Sequence, residues 1–304
     1  MILKFNSFLR EKLEGDLGNH ESGTLHEILV AHALNGDKHV SDHAQTIHDD
    51  YANRLGGTSS PLYQHHLARA QYAANEIRQH LQSQGHEISH ASWSAKSSEK
   101  EKGHGDPSDV YVHTTAGKKI GASLKVGDTH GNKPISNPGV SSEIKTHLND
   151  ARRSLAQQHP HTEGMTTAQI KQEARSNPEV GKTVDALRKQ TLEKSVNQLH
   201  SDYSKMSEPE LHQHVMKLLH GGPDYDPDHI RVTTTGTGGN YRSSVISPST
   251  HYNDRIQPGN IAVAMSGTSV LFKDKTTGKT LAKHRLKYES SGLSSIKGSG
   301  ESSL

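Results

Sequence analysis

Four side chains offer the most legible chemistry in this sequence. Asp109 opens the run DVYVHTT (109–115), and Ser123 and Lys125 lie in the run KKIGASLKV (118–126). Glu27 lies inside TLHEILVAHALN (24–35), where most of its neighbours are apolar. A carboxylate buried in such a helix requires a charge partner or a metal. Carboxylates hold divalent cations, which activate a water and neutralise charge on a phosphate and its leaving oxygen. A lysine beside them orients or deprotonates that water and stabilises the pentavalent transition state. The chemistry suited to this set is phosphodiester hydrolysis. Oxygen ligands in a chain without cysteine favour Mg²⁺ or Mn²⁺ over zinc. Asp128, just beyond the third run, is a further oxygen donor, with loop solvation as its alternative, and His130 shares that reading.

The elements that must position these groups follow from local pattern. Residues 24–35 read as a short buried helix ended by Gly36. The region 37–60 is polar and ambiguous. A second helix starts at Ser60-Pro61 and stops before Gly85, with Leu67, Ala70, Ala74, Ile77 and Leu81 on one stripe. Three strand-like runs follow, at 87–94, 109–115 and 118–126. Ala116-Gly117 turns the second into the third, so Asp109 and Lys125 fall on neighbouring antiparallel strands. Ser123 and Lys125 are two apart and share a face, while Ile120, Ala122, Leu124 and Val126 take the other. A helix then carries Val140, Ile144, Leu148, Ala151 and Leu155 on one side. Residues 160–222 read as wholly helical and polar, a helical insertion or arm, with a capping pattern at Ser207–Glu210 and a stop at Gly221-Gly222. From about 228 the pattern turns to strands: HIRVTTT, NIAVAMS, SVLFKD and TLAKHRLKYE, with a turn at Thr277-Gly278 and a Gly/Ser-rich tail.

This order, helix–strand–strand–strand–helix, with Glu27 in the first helix, Pro107-Ser108-Asp109 opening the second strand and Ser123-Leu124-Lys125 in the third, resembles the PD-(D/E)XK superfamily of restriction-endonuclease-like nucleases. The likeness covers roughly residues 20–160. It implies an α/β fold with a mixed central sheet flanked by helices, and Mg²⁺- or Mn²⁺-dependent cleavage of DNA, as an endonuclease. By it, Glu27, Asp109, Ser123 and Lys125 are the catalytic set, and Glu27, Asp109 and Asp128 hold the metal. Ser123 departs from the pattern, standing where the family has Asp or Glu. Either fewer metals bind, or Glu27 and Asp128 supply the missing charge. A degenerate nuclease fold that only binds or scaffolds DNA is the first alternative. The expected division is a nuclease core at 1–159, the helical insertion at 160–222, and C-terminal strands completing the core at 223–304. Asp106, one step further into the loop, ranks below Asp109. For Asp109 and Lys125 the plainer readings are a turn end and a solvated lysine. The opening MILKFNSFLREKL also loosely resembles the starts of proteins of large tailed marine phages, which implies a host-cytoplasm location.

The pentapeptide His86-Glu87-Ile88-Ser89-His90 matches HExxH, and a zinc hydrolase is the second alternative. That motif works only on a helix, where residues four apart share a face. In a strand they lie roughly 13 Å apart, and EISHASWS alternates like a strand. For DNA contact the candidates are Lys133, Arg152, Arg153, Arg242 and Lys297, with Gly236–Gly239 and Ser294–Gly300 offering backbone N–H groups to phosphate. Each has a plainer reading as a solvated charge or flexible loop. The 304 residues are 30% apolar and 4% aromatic, with a net charge of +2. Stacking surface is therefore scarce, and duplex bound through phosphates is favoured over single strand. The absence of cysteine excludes disulfides, iron–sulfur clusters and thiol catalysis, and suits a reducing cytoplasm. No apolar run of about 18 residues exists to span a membrane, and the N-terminus does not read as a signal peptide. A homodimer is a further expected partner, because many members of the family dimerise to cut both strands.

Overall fold

The computed structural model describes residues 17–38, 40–94, 108–127, 134–136, 138–220 and 228–303. The chain divides into two units: residues 1–131 with 224–251, and residues 132–223 with 252–304. The second unit's segments lie on either side of 224–251, so each unit is built from two pieces of chain.

The first unit begins with helix α1 (Asn19–Leu34), five residues earlier than the apolar run, because Glu21 folds back to accept a hydrogen bond from the Gly18 N–H at 2.8 Å. Gly36, at φ +66, ends it as expected. The ambiguous polar stretch contains helix α2 (Asp42–Arg54), capped by Ser41, whose Oγ accepts from the Ala44 N–H. Its moderate amphipathicity left few apolar residues to signal it: only Ala44, His48 and Ala52 are buried. Helix α3 (Pro61–Ser83) has the expected start, with Ser60 Oγ accepting from the Tyr63 N–H at 3.1 Å and proline in the first turn.

Strands β1 (Ile88–Trp93), β2 (Val110–Thr114) and β3 (Lys119–Gly127) form an antiparallel meander, with the β2–β3 turn at Thr114–Lys118 and Gly117 at φ +79. With β4 kept for the short strand Pro134–Ser136 of the second unit, β5 (Ile230–Thr235) lies parallel to β3, and β6 (Arg242–Ile246) antiparallel to β5. The result is a five-stranded mixed sheet of order β1-β2-β3-β5-β6, and the protein is α/β. Cross-strand register makes its two faces unlike. Ala91 and Trp93, Val110 and Val112, Ile120, Ala122 and Leu124, Ile230 and Val232 share one core with Leu25, Ile28 and Leu29 of α1 and Ala70, Ala74, Ile77 and Leu81 of α3. A leucine or isoleucine buried there contributes roughly 1.5–3 kcal/mol. The opposite face carries His90 and Ser92, Tyr111 and His113, Gly121, Ser123 and Lys125, Arg231 and Thr233.

The second unit packs helices α4 (Ser142–Gln158), α5 (Thr167–Ser176), α6 (Pro178–Ser204) and α7 (Glu208–His220) with a second sheet. That sheet joins β4 to β7 (Ile261–Ser266), β8 (Ser269–Asp274), β9 (Thr280–Tyr288) and β10 (Ile296–Ser302) in the order β4-β10-β9-β8-β7, antiparallel throughout. Two corrections follow. The C-terminal strands do not all complete the first sheet: β5 and β6 do, and β7–β10 build the second. The Gly/Ser-rich tail is not a loose end but an inner strand, in which Gly298 and Gly300 leave room for neighbours. A Cβ at Gly298 would lie 2.5 Å from Gly139 O, and one at Gly300 2.1 Å from Ser136 Oγ. Helices α4–α6 share a core through Ala151, Leu155, Ile170, Val180, Val184 and Leu187, and Tyr203 of α6 hydrogen-bonds His284 of β9 at 2.6 Å. The segment expected as an arm is therefore packed into this unit. Gly221 and Gly222 lie outside the described residues.

Candidate active site

Asp109 stands where β2 begins. Its N–H donates to Ala122 O at 2.8 Å and its carbonyl accepts from the Ser94 N–H at 3.0 Å, which fixes its backbone to both neighbouring strands. Its carboxylate then reaches across β3. Oδ2 accepts from the Leu124 N–H at 2.8 Å, lies 3.4 Å from Ser123 Oγ, and sits 3.7 Å from Lys125 Nζ. A charge-assisted bond from a backbone amide orients a carboxylate without occupying both oxygens. Oδ1 takes no hydrogen bond among the described residues. The Asp109 side chain is 14% exposed and that of Lys125 24%, so bulk water does not fully screen the pair. Ser123 is 2% exposed, its hydroxyl turned toward Asp109 rather than solvent.

Strand geometry explains this grouping. Ser123 and Lys125 share the polar face because they are two apart, and the hairpin returns Asp109 beside them. The same face continues onto β5, where Arg231 is directly opposite Ser123 and Thr233 opposite Lys125. Arg231 is 5% exposed, a buried cationic residue on the strand beside β3. It was not singled out from sequence, because β5 lies about a hundred residues away and only the parallel β3–β5 pairing brings it in. The signal available was its place in the run HIRVTTT, a charge inside a strand.

Beneath this region the backbone is tightly fitted. Ser108 Oγ and His229 Nδ1, both buried, lie 3.4 Å apart over Gly121. A Cβ on Gly121 would come within 2.1 Å of Ser108 Oγ and 3.1 Å of His229 Nδ1. Glycine is therefore needed there for close approach. Lys119 Nζ lies 3.9 Å from the centre of the Tyr111 ring on the same face.

Glu27 is half-buried on α1, and its Oε2 accepts from Trp93 Nε1 at 3.1 Å; His43 stacks on the same indole. Trp93 belongs to the helix-facing side of the sheet, so Glu27 is anchored from the side opposite Ser123 and Lys125. Its carboxylate is paired by a ring N–H, which satisfies the need for a partner without a metal. Asp128, Asp106, Pro107, His130 and Lys133 lie outside the described residues. Of the DNA-contact candidates, Arg242 is exposed at the start of β6. The other three belong to the second unit. Arg152 is tied to Leu293 O at 2.8 Å and Thr167 Oγ1 at 2.7 Å, Arg153 pairs with Asp150, and Lys297 pairs with Glu289 at 2.5 Å. The Gly236–Gly239 loop joins β5 to β6, with Gly236 at φ +112. Ser294–Gly300 is not a phosphate-binding loop, because from Ile296 its backbone lies in the β9–β10 ladder.

A divalent cation fits this donor set in one respect. Mg²⁺ is commonly held by one or two carboxylates with its remaining positions filled by water and substrate phosphate, and Asp109 offers an oxygen, Oδ1, that takes no hydrogen bond among the described residues. Among the described residues no group of three or more His, Asp or Glu side chains is placed to hold a metal. The HExxH segment does not form a zinc helix: β1 runs from Ile88, with His86 before it and His90 within it. No helix among the described residues is long and apolar enough to cross a membrane.

No protein-family model matches this chain, and no curated protein does. Among solved structures it is similar to one described as the restriction endonuclease MspI in complex with its cognate DNA, at 12% identity, a TM-score of 0.29, and 97% coverage of each chain. At that score the likeness carries no weight for fold or function.

Proposed function

We propose that the first unit is a metal-dependent nuclease core that hydrolyses phosphodiester bonds in duplex DNA, acting as an endonuclease. The observation that carries this reading is the Asp109–Lys125 pair, 3.7 Å apart beside Ser123 on the polar face of the sheet. That is the grouping a carboxylate–lysine phosphodiesterase requires. In this reading Asp109 holds Mg²⁺ or Mn²⁺ with Asp128 as the further carboxylate, while Glu27 stays with Trp93 Nε1 on the helix-facing side of the sheet and is left out of the set. Bound there, the cation would supply a Lewis acid for the phosphate and lower the pKa of a water. Lys125 places a positive charge beside the non-bridging oxygens, and its pairing with Asp109 holds the ammonium in place before substrate arrives. The Leu124 N–H fixes the Asp109 carboxylate through Oδ2 and leaves Oδ1 for a cation. Arg242 and the Gly236–Gly239 loop are the proposed phosphate contacts of this unit.

A second reading is a degenerate nuclease fold that binds DNA without cutting it. The observation favouring it is Ser123, a neutral group where the resembled family has a carboxylate, which leaves Asp109 to balance Lys125 alone among the residues in contact. Incubation of supercoiled plasmid with the full chain in Mg²⁺, in Mn²⁺ and in EDTA decides between them. Nicked or linear product with either metal and none in EDTA is the expected result. Duplex binding without product under any metal would establish the second reading instead.

A further inference from the structure

The histidine at the end of the HExxH segment has a partner that the motif does not suggest. Strand β1 pairs with β2 through Ile88↔Thr114 and then His90↔His113, so Ser89 is an extra residue in β1. That bulge shifts the register by one and turns His90 to the outer face, opposite His113. The two imidazoles stack with centroids 4.2 Å apart and planes 2° from parallel. Each ring has a serine hydroxyl within reach: Ser89 Oγ is 3.1 Å from His90 Nδ1, and Ser92 Oγ is 3.2 Å from His113 Nε2. His90 is exposed, on an edge strand. Asp109 and His113 are four residues apart on β2, roughly 13 Å along the strand, so this cluster is separate from the carboxylate–lysine site.

We propose that His90 and His113 form a two-histidine binding site for a borderline divalent metal ion such as Zn²⁺, Ni²⁺ or Cu²⁺. Neutral imidazole is a preferred ligand for these ions and a poor one for Mg²⁺. Two nitrogens bound to one tetrahedral zinc at about 2.0–2.1 Å lie about 3.3 Å from each other. Rings with centroids 4.2 Å apart reach that separation by swinging about their side-chain torsions, breaking the stack as the nitrogens converge. Because both rings stand on directly opposed positions of one ladder, the backbone need not move. The remaining metal positions would be taken by water or by an external donor. The site does not depend on the nuclease reading, and the two can fail separately.

The test is a calorimetric titration of the full chain with ZnCl₂ at pH 7.5, together with the imidazole ¹⁵N resonances. The comparison set is wild type, His90→Asn, His113→Asn and His86→Asn. We expect the first equivalent of Zn²⁺ to shift the His90 and His113 resonances together. Either of their substitutions should weaken that first equivalent at least tenfold, and His86→Asn should leave it unchanged. Binding should be lost at pH 5, where protons compete for the nitrogens. The proposal is overturned if both single variants keep the wild-type isotherm, if the first equivalent shifts other histidines, or if His86→Asn weakens binding as much as His90→Asn. Circular dichroism of each variant checks that the substitutions leave the fold intact.

Discussion

Ser123 is the residue at which this chain departs most from a two-carboxylate site. Its hydroxyl is 3.4 Å from Asp109 Oδ2, a long contact that contributes little. Ser123→Ala should therefore cost under about 1 kcal/mol of stability and little turnover. Ser123→Glu places a second carboxylate against Asp109, and without metal the two repel. The variant should melt below wild type in EDTA and gain more than wild type on adding Mn²⁺, read by thermal melting with and without the metal. Equal metal-induced shifts in the two proteins would show that position 123 does not face a cation. Asp109, Ser123 and Lys125 were legible in the sequence because a two-residue period and one tight turn fix which side chains share a face. Arg231 was not, because its place depends on a parallel pairing that nothing local specifies. Glu27 was legible as a carboxylate needing a partner. That its partner is Trp93 Nε1 was not, since the helix–sheet packing brings together residues 66 apart.

At the scale of elements, Gly121 tests how closely β3 is fitted to its neighbours. Gly121→Ala drives a methyl group into Ser108 Oγ and should destabilise by about 1–3 kcal/mol, as overpacking does. Adding Ser108→Gly should restore much of the loss, as read from urea unfolding midpoints. Failure of the double variant to recover would mean that His229 or the strand backbone, not Ser108, sets the limit. Strand β10 gives the companion test for the second unit. It lies between β4 and β9, so deleting residues 295–304 exposes both edges and should abolish the cooperative melting of that unit. An unchanged melting profile would restore the tail reading. Composition concealed this strand: in IKGSGES only Ile296 is a strong strand former, and small residues are present because neighbouring backbone and side chains pass so close. Helix α2 was hidden for the complementary reason, a polar sequence whose fully buried positions are two alanines and a histidine, with Ile47 and Tyr51 only partly buried against the core.

The whole molecule carries 24 histidines, and the buried ones set its response to acid. His66 is pushed down to about 3 by burial, with the adjacent Arg69 charge second, and His26 is driven well below its usual range by burial and the same arginine. His214 and His284 of the second unit are held at about 4, chiefly by burial. These four stay neutral in the folded chain, while in the unfolded chain they take up protons below about pH 6.5. The unfolded state thus binds more protons, and stability falls as pH drops from about 6.5 toward 4, by up to ~1.4 kcal/mol per pH unit for each such histidine. The urea midpoint should be nearly flat from pH 8 to 7 and fall steeply between 6.5 and 5. A midpoint independent of pH across that window would mean that these imidazoles become solvated before the fold gives way.

Asp109, oriented by the Leu124 N–H and paired with Lys125, is the proposed metal-holding carboxylate of a phosphodiesterase. Asp109→Asn keeps the side chain's shape and removes its charge. It takes away the cation's partner but no contact to DNA phosphate. The direct measurement sets plasmid cleavage in Mn²⁺ beside duplex affinity by fluorescence anisotropy, for wild type and Asp109→Asn at matched salt. Cleavage should fall at least a hundredfold, on the order of the loss when a charge partner in the site is removed, with duplex affinity within about threefold of wild type, since phosphate contacts set it. Cleavage by Asp109→Asn at the wild-type rate would contradict that role and move the chemistry elsewhere in the chain.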